Sequence, residues 1–519
     1  MAMLGKRRPP RPASGNSGLA RTPSGKAQQP KSATNRDATA NRDATAPLVI
    51  ERLAHDGRGV AHNAAGKTVF VSQALPGEHV EVGVHVTRKR FDEAHIKALL
   101  TSSSVRVAPP CLHFSQCGGC DLQHLEVSAQ RAHKRDVVSE LMARQGIELG
   151  AITALNGSRE SYRRRARLGV KVDGNGKVLL GFRAPHSHRL VDIQQCYVLV
   201  PELQALIAPL KQLLTSLEAP RQVGHIELIA TADTVVVLVR QLKEHVQDSA
   251  RWQAFAKQQH ISLGAWLGRE SPVLHWYGAT PQLIETLTFA ALGLGKTGLG
   301  KTGLGKTGLE QIDIEQIGLE QNRVQEARVM AASSHKEAAI ALQFSPGDFL
   351  QVNAEVNQKM VAQVVAWLSP GHGQPVMDLF AGIGNFSLPL AVAGARVHAV
   401  EGNPAMVERI VANASLNQLD VSAQQANLSD AKVVQELLSN QQIDALVLDP
   451  PRSGAEAICQ ALGRHRIAKV AYISCDPATL ARDAAHLVHA GYCIKQVAVA
   501  DMFLHTAHME TLMLFEYAG

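Results

Sequence analysis

A cysteine, two carboxylates and a glycine-rich turn stand where they could act on one small substrate. The run PVMDLF leads through AGIGNF into SLPLA, a strand, turn and helix that form a nucleoside-binding loop at Gly382–Asn385. A second apolar run, RVHAVE, ends at Glu401, whose carboxylate can accept both hydroxyls of a bound ribose. A dinucleotide site of the G-x-G-x-x-G type needs a third glycine where Ser387 stands. Its absence favours S-adenosylmethionine, which has no pyrophosphate, over a nicotinamide cofactor. A third run, LVLDPPRSG, ends at Asp449, and a fourth, VAYIS, delivers Cys475.

A lone cysteine after a strand is most often a small buried apolar residue. The chemistry of a methyl acceptor gives this one a use. Carbon 5 of uracil is too weak a nucleophile to attack a methylsulfonium, but a thiolate added at carbon 6 turns the ring into an enolate. A base must then remove the carbon-5 proton so that the thiolate can leave. The segment DMFLHTAHMET offers Glu510 for that task if it returns as a strand beside the sheet. His505, His508 and Glu510 do not have the spacing of an H-E-x-x-H zinc site.

These residues need a scaffold. After about Glu337, β-rich apolar runs alternate with helical segments, the pattern of a doubly wound α/β sheet whose ligands sit at the carboxyl ends of the strands. Residues 341–519 are therefore expected to form a Rossmann-like methyltransferase domain. Residues 47–103 show short alternating runs with turns at Asp56-Gly57 and Pro76-Gly77, which predict a small β-barrel. Residues 104–340 read as a central α/β domain. Residues 1–46 are rich in Pro, Ser, Ala and Arg, repeat NRDATA and cannot build a core. They carry nine Lys/Arg and two Asp, the whole net charge of +7, so an RNA surface on the folded body must be a local patch.

Cys111, Cys117 and Cys120, with Cys196 further on, can close around zinc or an iron–sulfur cluster. The first gap is too long for the C-x3-C-x2-C of a radical enzyme, and the fourth thiol completes the ligand set. In YRRRARL, Arg163, Arg165 and Arg167 would share one face of a strand and form a row for RNA phosphates.

GLGKTGLGKTGLGKT at 293–307 contains the phosphate-loop pattern twice, but glycine recurs every five residues where a helix should begin. The stretch 293–322 is read as a low-complexity pentapeptide insert that binds no nucleotide triphosphate. Seven cysteines in 519 residues do not suggest a disulfide scaffold. The apolar run Leu379–Ala395 is interrupted by glycines and Pro389, against a membrane span. A cytoplasmic, soluble protein is expected.

In this order, FSPGDFLQVN, DLFAGIGNF, LDPPRSG, SCDPATLARD and DMFLHTAHMET resemble the RNA uracil-5-methyltransferases. With the TRAM-like barrel, the cysteine group and YRRRARL, the resemblance narrows to the type that methylates one uridine of 23S ribosomal RNA. It implies Cys475 as nucleophile and Glu510 as base. It also implies Gln351, Phe380, Asn385, Glu401, Asn427 and Asp449 as holders of S-adenosylmethionine, and a [4Fe–4S] cluster on the four cysteines. The expected partner is 23S rRNA, with no membrane, and the chain is expected to be a monomer. A transfer-RNA uracil methyltransferase and a noncatalytic RNA-binding protein are the alternatives. Ala381, Asp476 and Leu504 depart from the usual pattern, and Asp476 is expected to raise the Cys475 thiol pKa unless Arg452 or another cation offsets it.

Overall fold

The computed structural model describes residues 46–293 and 339–518. Strands β1 (Leu48–Val49), β2 (Arg52–Leu53), β3 (Gly59–His62), β4 (Thr68–Ser72), β5 (His79–Thr87) and β6 (Phe91–Thr101) form one sheet, ordered β1-β5-β6-β4-β3-β2. Their alternation sends Val69, Val71, Val80, Val82 and Ala94 into a shared core. Buried Glu78 closes the unit, accepting from Leu75 N and pairing with Arg106. Helix α1 (Val127–Ala143) and strand β7 (Ile152–Leu155) come next.

A second sheet follows, ordered β10-β9-β8-β11-β12-β13-β14. Its strands are β8 (Arg165–Val172), β9 (Val178–Arg183), β10 (Leu190–Asp192), β11 (Val223–Ala230), β12 (Val235–Gln241), β13 (Ser262–Leu267) and β14 (Val273–Trp276). Helices α2 (Pro201–Ala205), α3 (Ile207–Ser216) and α4 (Val246–Gln259) contribute Leu203, Leu210, Leu214 and Trp252 to its core. Strands β15 (Leu283–Thr288) and β16 (Ala339–Phe344) pair antiparallel, with Thr288 opposite Ala339.

The third sheet is ordered β19-β18-β17-β20-β21-β23-β22-β7. It comprises β17 (Pro375–Leu379), β18 (Arg396–Glu401), β19 (Val421–Gln425), β20 (Ala445–Leu448), β21 (Lys469–Ser474), β22 (Tyr492–Ala500) and β23 (Glu510–Tyr517). Helices α5 (Ala354–Leu368), α6 (Ser387–Val392), α7 (Pro404–Leu416), α8 (Ala431–Ser439), α9 (Glu456–His465) and α10 (Pro477–His489) alternate with these strands. Their starts are written locally: Asn353, Asn403, Asp430 and Asp476 cap α5, α7, α8 and α10 by accepting from first-turn N–H groups. One core layer holds Met360, Val364 and Ile410, the other Leu437, Ile458, Leu462 and Leu480. Two pieces of the expected central region belong to this domain. Strand β7 extends its sheet beside β22, and Val137, Val138 and Met142 of α1 enter its second core layer.

Among the described residues no helix is long and apolar enough to cross a membrane. Both phosphate-loop matches, Gly295–Thr302 and Gly300–Thr307, lie outside the described residues.

Candidate active site

Cys475 follows the last residue of β21, and Glu510 is the first of β23. These strands pair antiparallel with Ser474 opposite Thr511, so the register sets Cys475 across from Glu510. The terminal segment does return as a strand, and it inserts between β21 and β22. Four strand ends thus converge on one cavity of about 1500 Å³. Gln351, Phe380, Asn385, Glu401, Asn427, Asp449, Cys475 and Glu510 all line it, as do Cys111, Cys117, Cys120 and Cys196.

The loop after β17 is shaped by backbone. Phe380 has φ of 65°, Gly382 of 60° and Gly384 of 95°, and a Cβ on Gly384 would lie 2.5 Å from Leu388. Glu401 accepts from Gly382 N at 3.1 Å and from Asn403 N at 3.0 Å, so it fixes the loop as well as facing the cavity. Asn385 and Asn357 exchange two hydrogen bonds of 3.0 Å. Beneath the loop, Asp378 is fully buried and accepts from Ser387 Oγ at 2.5 Å. Burial, with the charges of Asp449 and Glu401, pushes its carboxyl up to about 7.

Burial also pushes Asp449 up to about 7. Glu510 lies well above the ordinary carboxylate range through burial and then Asp449, with Arg452 acting the other way. The Cys475 thiol is raised to about 11 by burial, Glu510 and Asp449, again opposed by Arg452. Asp476 is not among the groups that move the thiol most. Its carboxylate accepts from Ala478 N and Thr479 N at the start of α10, which corrects the expectation that it would disturb the thiol.

The arginine run also needs correction. Arg163, Arg165 and Arg167 do alternate with buried neighbours, but Arg165 is committed to Glu227 and to the Asp348 carbonyl. Arg164 is buried, forks onto Glu285 and donates to the Gln351 carbonyl at 2.9 Å. The run therefore anchors the 345–353 loop that carries Gln351. Glu285 gave no signal in the sequence, because its partner is distant along the chain. Asp378 was hidden in the same way, as one polar residue inside an apolar strand.

His505 is structural. Its carbonyl accepts from Asp121 N and Leu122 N, and its ring contacts Gln130 and the Arg159 carbonyl. Tyr162 donates to Leu504 O at 2.7 Å. These bonds press the cysteine loop against the 501–508 segment. The four thiols are close enough to act on one another: burial lifts Cys117 to about 11 and Cys120 to about 12, and neighbouring cysteines add to both. As placed, no three His, Cys, Asp or Glu side chains among the described residues form a ready metal-binding group.

A strand order with an antiparallel seventh strand and a glycine loop facing an acidic strand end define an S-adenosylmethionine-dependent methyltransferase. A profile described as tRNA (Uracil-5-)-methyltransferase matches residues 310–517, and a TRAM domain profile matches 44–97. The chain is 52% identical to a Halomonas elongata protein named 23S rRNA (uracil(1939)-C(5))-methyltransferase RlmD, covering 100% of this chain and 97% of that one. A Chromohalobacter salexigens protein of the same name is 48% identical over 99% of this chain and 95% of its own. The crystal structure of a Pyrococcus abyssi tRNA (uracil-54, C5)-methyltransferase with S-adenosyl-L-homocysteine shares the fold. It has a TM-score of 0.65 and 22% identity, covering 90% of this chain and all of that one. The chain belongs to the RlmD family of 23S rRNA (uracil-C5)-methyltransferases.

Proposed function

We infer that the protein methylates carbon 5 of one uridine in 23S rRNA, the position its relatives' names give as uracil 1939. The observation that carries the reaction is the β21–β23 register, which sets a thiol opposite a carboxyl group inside the cofactor cavity. S-adenosylmethionine supplies an electrophilic methyl group on sulfur. Gln351, Phe380, Asn385, Glu401, Asn427 and Asp449 hold it at the strand ends. Cys475 adds to carbon 6 of the uracil, and Glu510 takes the proton from carbon 5 before the thiolate leaves. The target base must be unstacked to enter, while the TRAM domain grips RNA away from the cavity.

Methyl transfer to 23S rRNA transcripts, compared for the wild type and Cys475→Ala, tests this reading. RNA containing 5-fluorouracil should form a covalent adduct that requires Cys475, because fluorine cannot leave as a proton. Undiminished transfer by the variant would remove the mechanism. Transfer to tRNA in preference to rRNA would move the protein to the other branch.

Cys111, Cys117, Cys120 and Cys196 fit a [4Fe–4S] cluster by donor type and number, and all four line the same cavity. The cluster would give this end of the cavity a fixed, soft-ligand staple. Iron content and visible absorption of anaerobically purified protein check it, and stoichiometric zinc without iron would sink it.

A further inference from the structure

We propose that Arg452 is a positioning residue for the nucleophile, the cation that lets Cys475 exist as a thiolate between two carboxyl groups. The inference rests on the uracil-C5 reading only for the step it serves.

The turn that presents Arg452 is built from beneath. Gly454 has φ of 78°, and a Cβ there would lie 2.4 Å from Asp483 Oδ2. That fully buried carboxylate accepts from Ala455 N at 2.7 Å and from Tyr472 Oη at 2.6 Å. Arg482 donates to Ser453 O at 3.0 Å and is spent on Asp483 and Glu456. Arg452, by contrast, lines the cavity and makes no ion pair among the described residues. A buried framework thus fixes a turn whose one cation is left without a partner at the cavity wall.

The groups facing Cys475 come from two elements. Glu510 opens β23, the antiparallel neighbour of β21, while Asp449 and Arg452 sit on the loop after β20, its parallel neighbour, and all of them line the one cavity with Cys475. His508 stands at the rim, and Asp476 is turned into the cap of α10. Among the described residues, Arg452 is the cation that most opposes burial and the carboxyl groups at the thiol and at Glu510. In the step it serves, the thiol proton goes to solvent, the S–C6 bond forms, the C5=C6 pair becomes a C4=C5 bond and the C4=O4 pair moves onto O4. On release, once C5 carries the methyl group, Glu510 takes the C5 proton, the C5–H pair re-forms the C5=C6 bond, the S–C6 bond breaks and the thiolate returns beside Arg452.

Iodoacetamide alkylation of Cys475 in the full chain, followed by peptide mass across a pH series, needs neither RNA nor methyl donor. Arg452→Gln should raise the alkylation midpoint by about one pH unit, and Arg452→Lys should recover most of that shift. An unchanged midpoint in Arg452→Gln overturns the proposal. So does a variant whose RNA affinity and salt dependence fall while its alkylation profile stays as in the wild type, since Arg452 would then be a phosphate clamp. If the wild type fails to methylate rRNA but the midpoint shifts, the uracil-C5 reading falls and this one stands.

Discussion

Cys475 and Glu510 are both held towards their neutral forms, by burial first and by neighbouring carboxyl groups second. In the proposed reaction both act as anions, so each becomes more available as pH rises. Single-turnover methylation should therefore climb between pH 6 and pH 9, and a flat or falling profile would contradict the assignment. Glu510→Gln should slow turnover by about 10²–10⁴-fold and accumulate an RNA–protein adduct visible on a denaturing gel. Asp378 carries the opposite bookkeeping of stability. Its folded carboxyl is raised from 3.8 to about 7, so its contribution to stability is full at low pH and is lost as pH rises through that window. Asp378→Asn should gain in melting temperature relative to the wild type at pH 8, and not at pH 4.

At the scale of elements, the RRR run and strand β15 meet far from each other in sequence. The Arg164–Glu285 pair holds the Gln351 carbonyl from behind. Removing one member of a buried pair costs about 3–5 kcal/mol. Glu285→Gln should lower the melting temperature and weaken S-adenosylmethionine binding by calorimetry, while leaving the pH profile of Cys475 alkylation in place. The same hairpin explains how the pentapeptide array is tolerated. Thr288 and Ala339 are cross-strand partners, so the chain leaves and re-enters the fold at neighbouring points. Deleting residues 293–322 should preserve folding and methylation; a folded deletion lacking activity would show that the array has a task.

Across the whole molecule, the cysteine loop and the methyltransferase sheet are locked through the 501–505 segment. Fully buried Lys134 donates to Asp501 at 2.7 Å and to the Phe503 carbonyl at 3.1 Å, while Arg131 takes the other Asp501 oxygen at 3.0 Å. Asp501→Asn leaves Lys134 without its full counter-charge. It should lower the melting temperature and speed iodoacetamide labelling of Cys117 and Cys120, because the loop docks on the adjacent His505 carbonyl.

The sequence by itself determined whatever is written in local pattern. Apolar runs fixed the strands, Asn and Asp ahead of the helices fixed where those begin, and glycines at positive φ shaped the cofactor loop. It also named Cys475, because strand ends in such a sheet face the ligand. Only the tertiary structure decided the rest. The antiparallel return of β23 turned Glu510 from a residue near the terminus into the partner across from Cys475. Glu227 and the Asp348 carbonyl took Arg165 out of the expected RNA row, its neighbour Arg164 was buried against Glu285, and the Asp476 carboxylate went to a helix cap. Partners of this kind meet through folding across hundreds of residues, and no spacing along the chain encodes whether a charge will end in water or against its opposite.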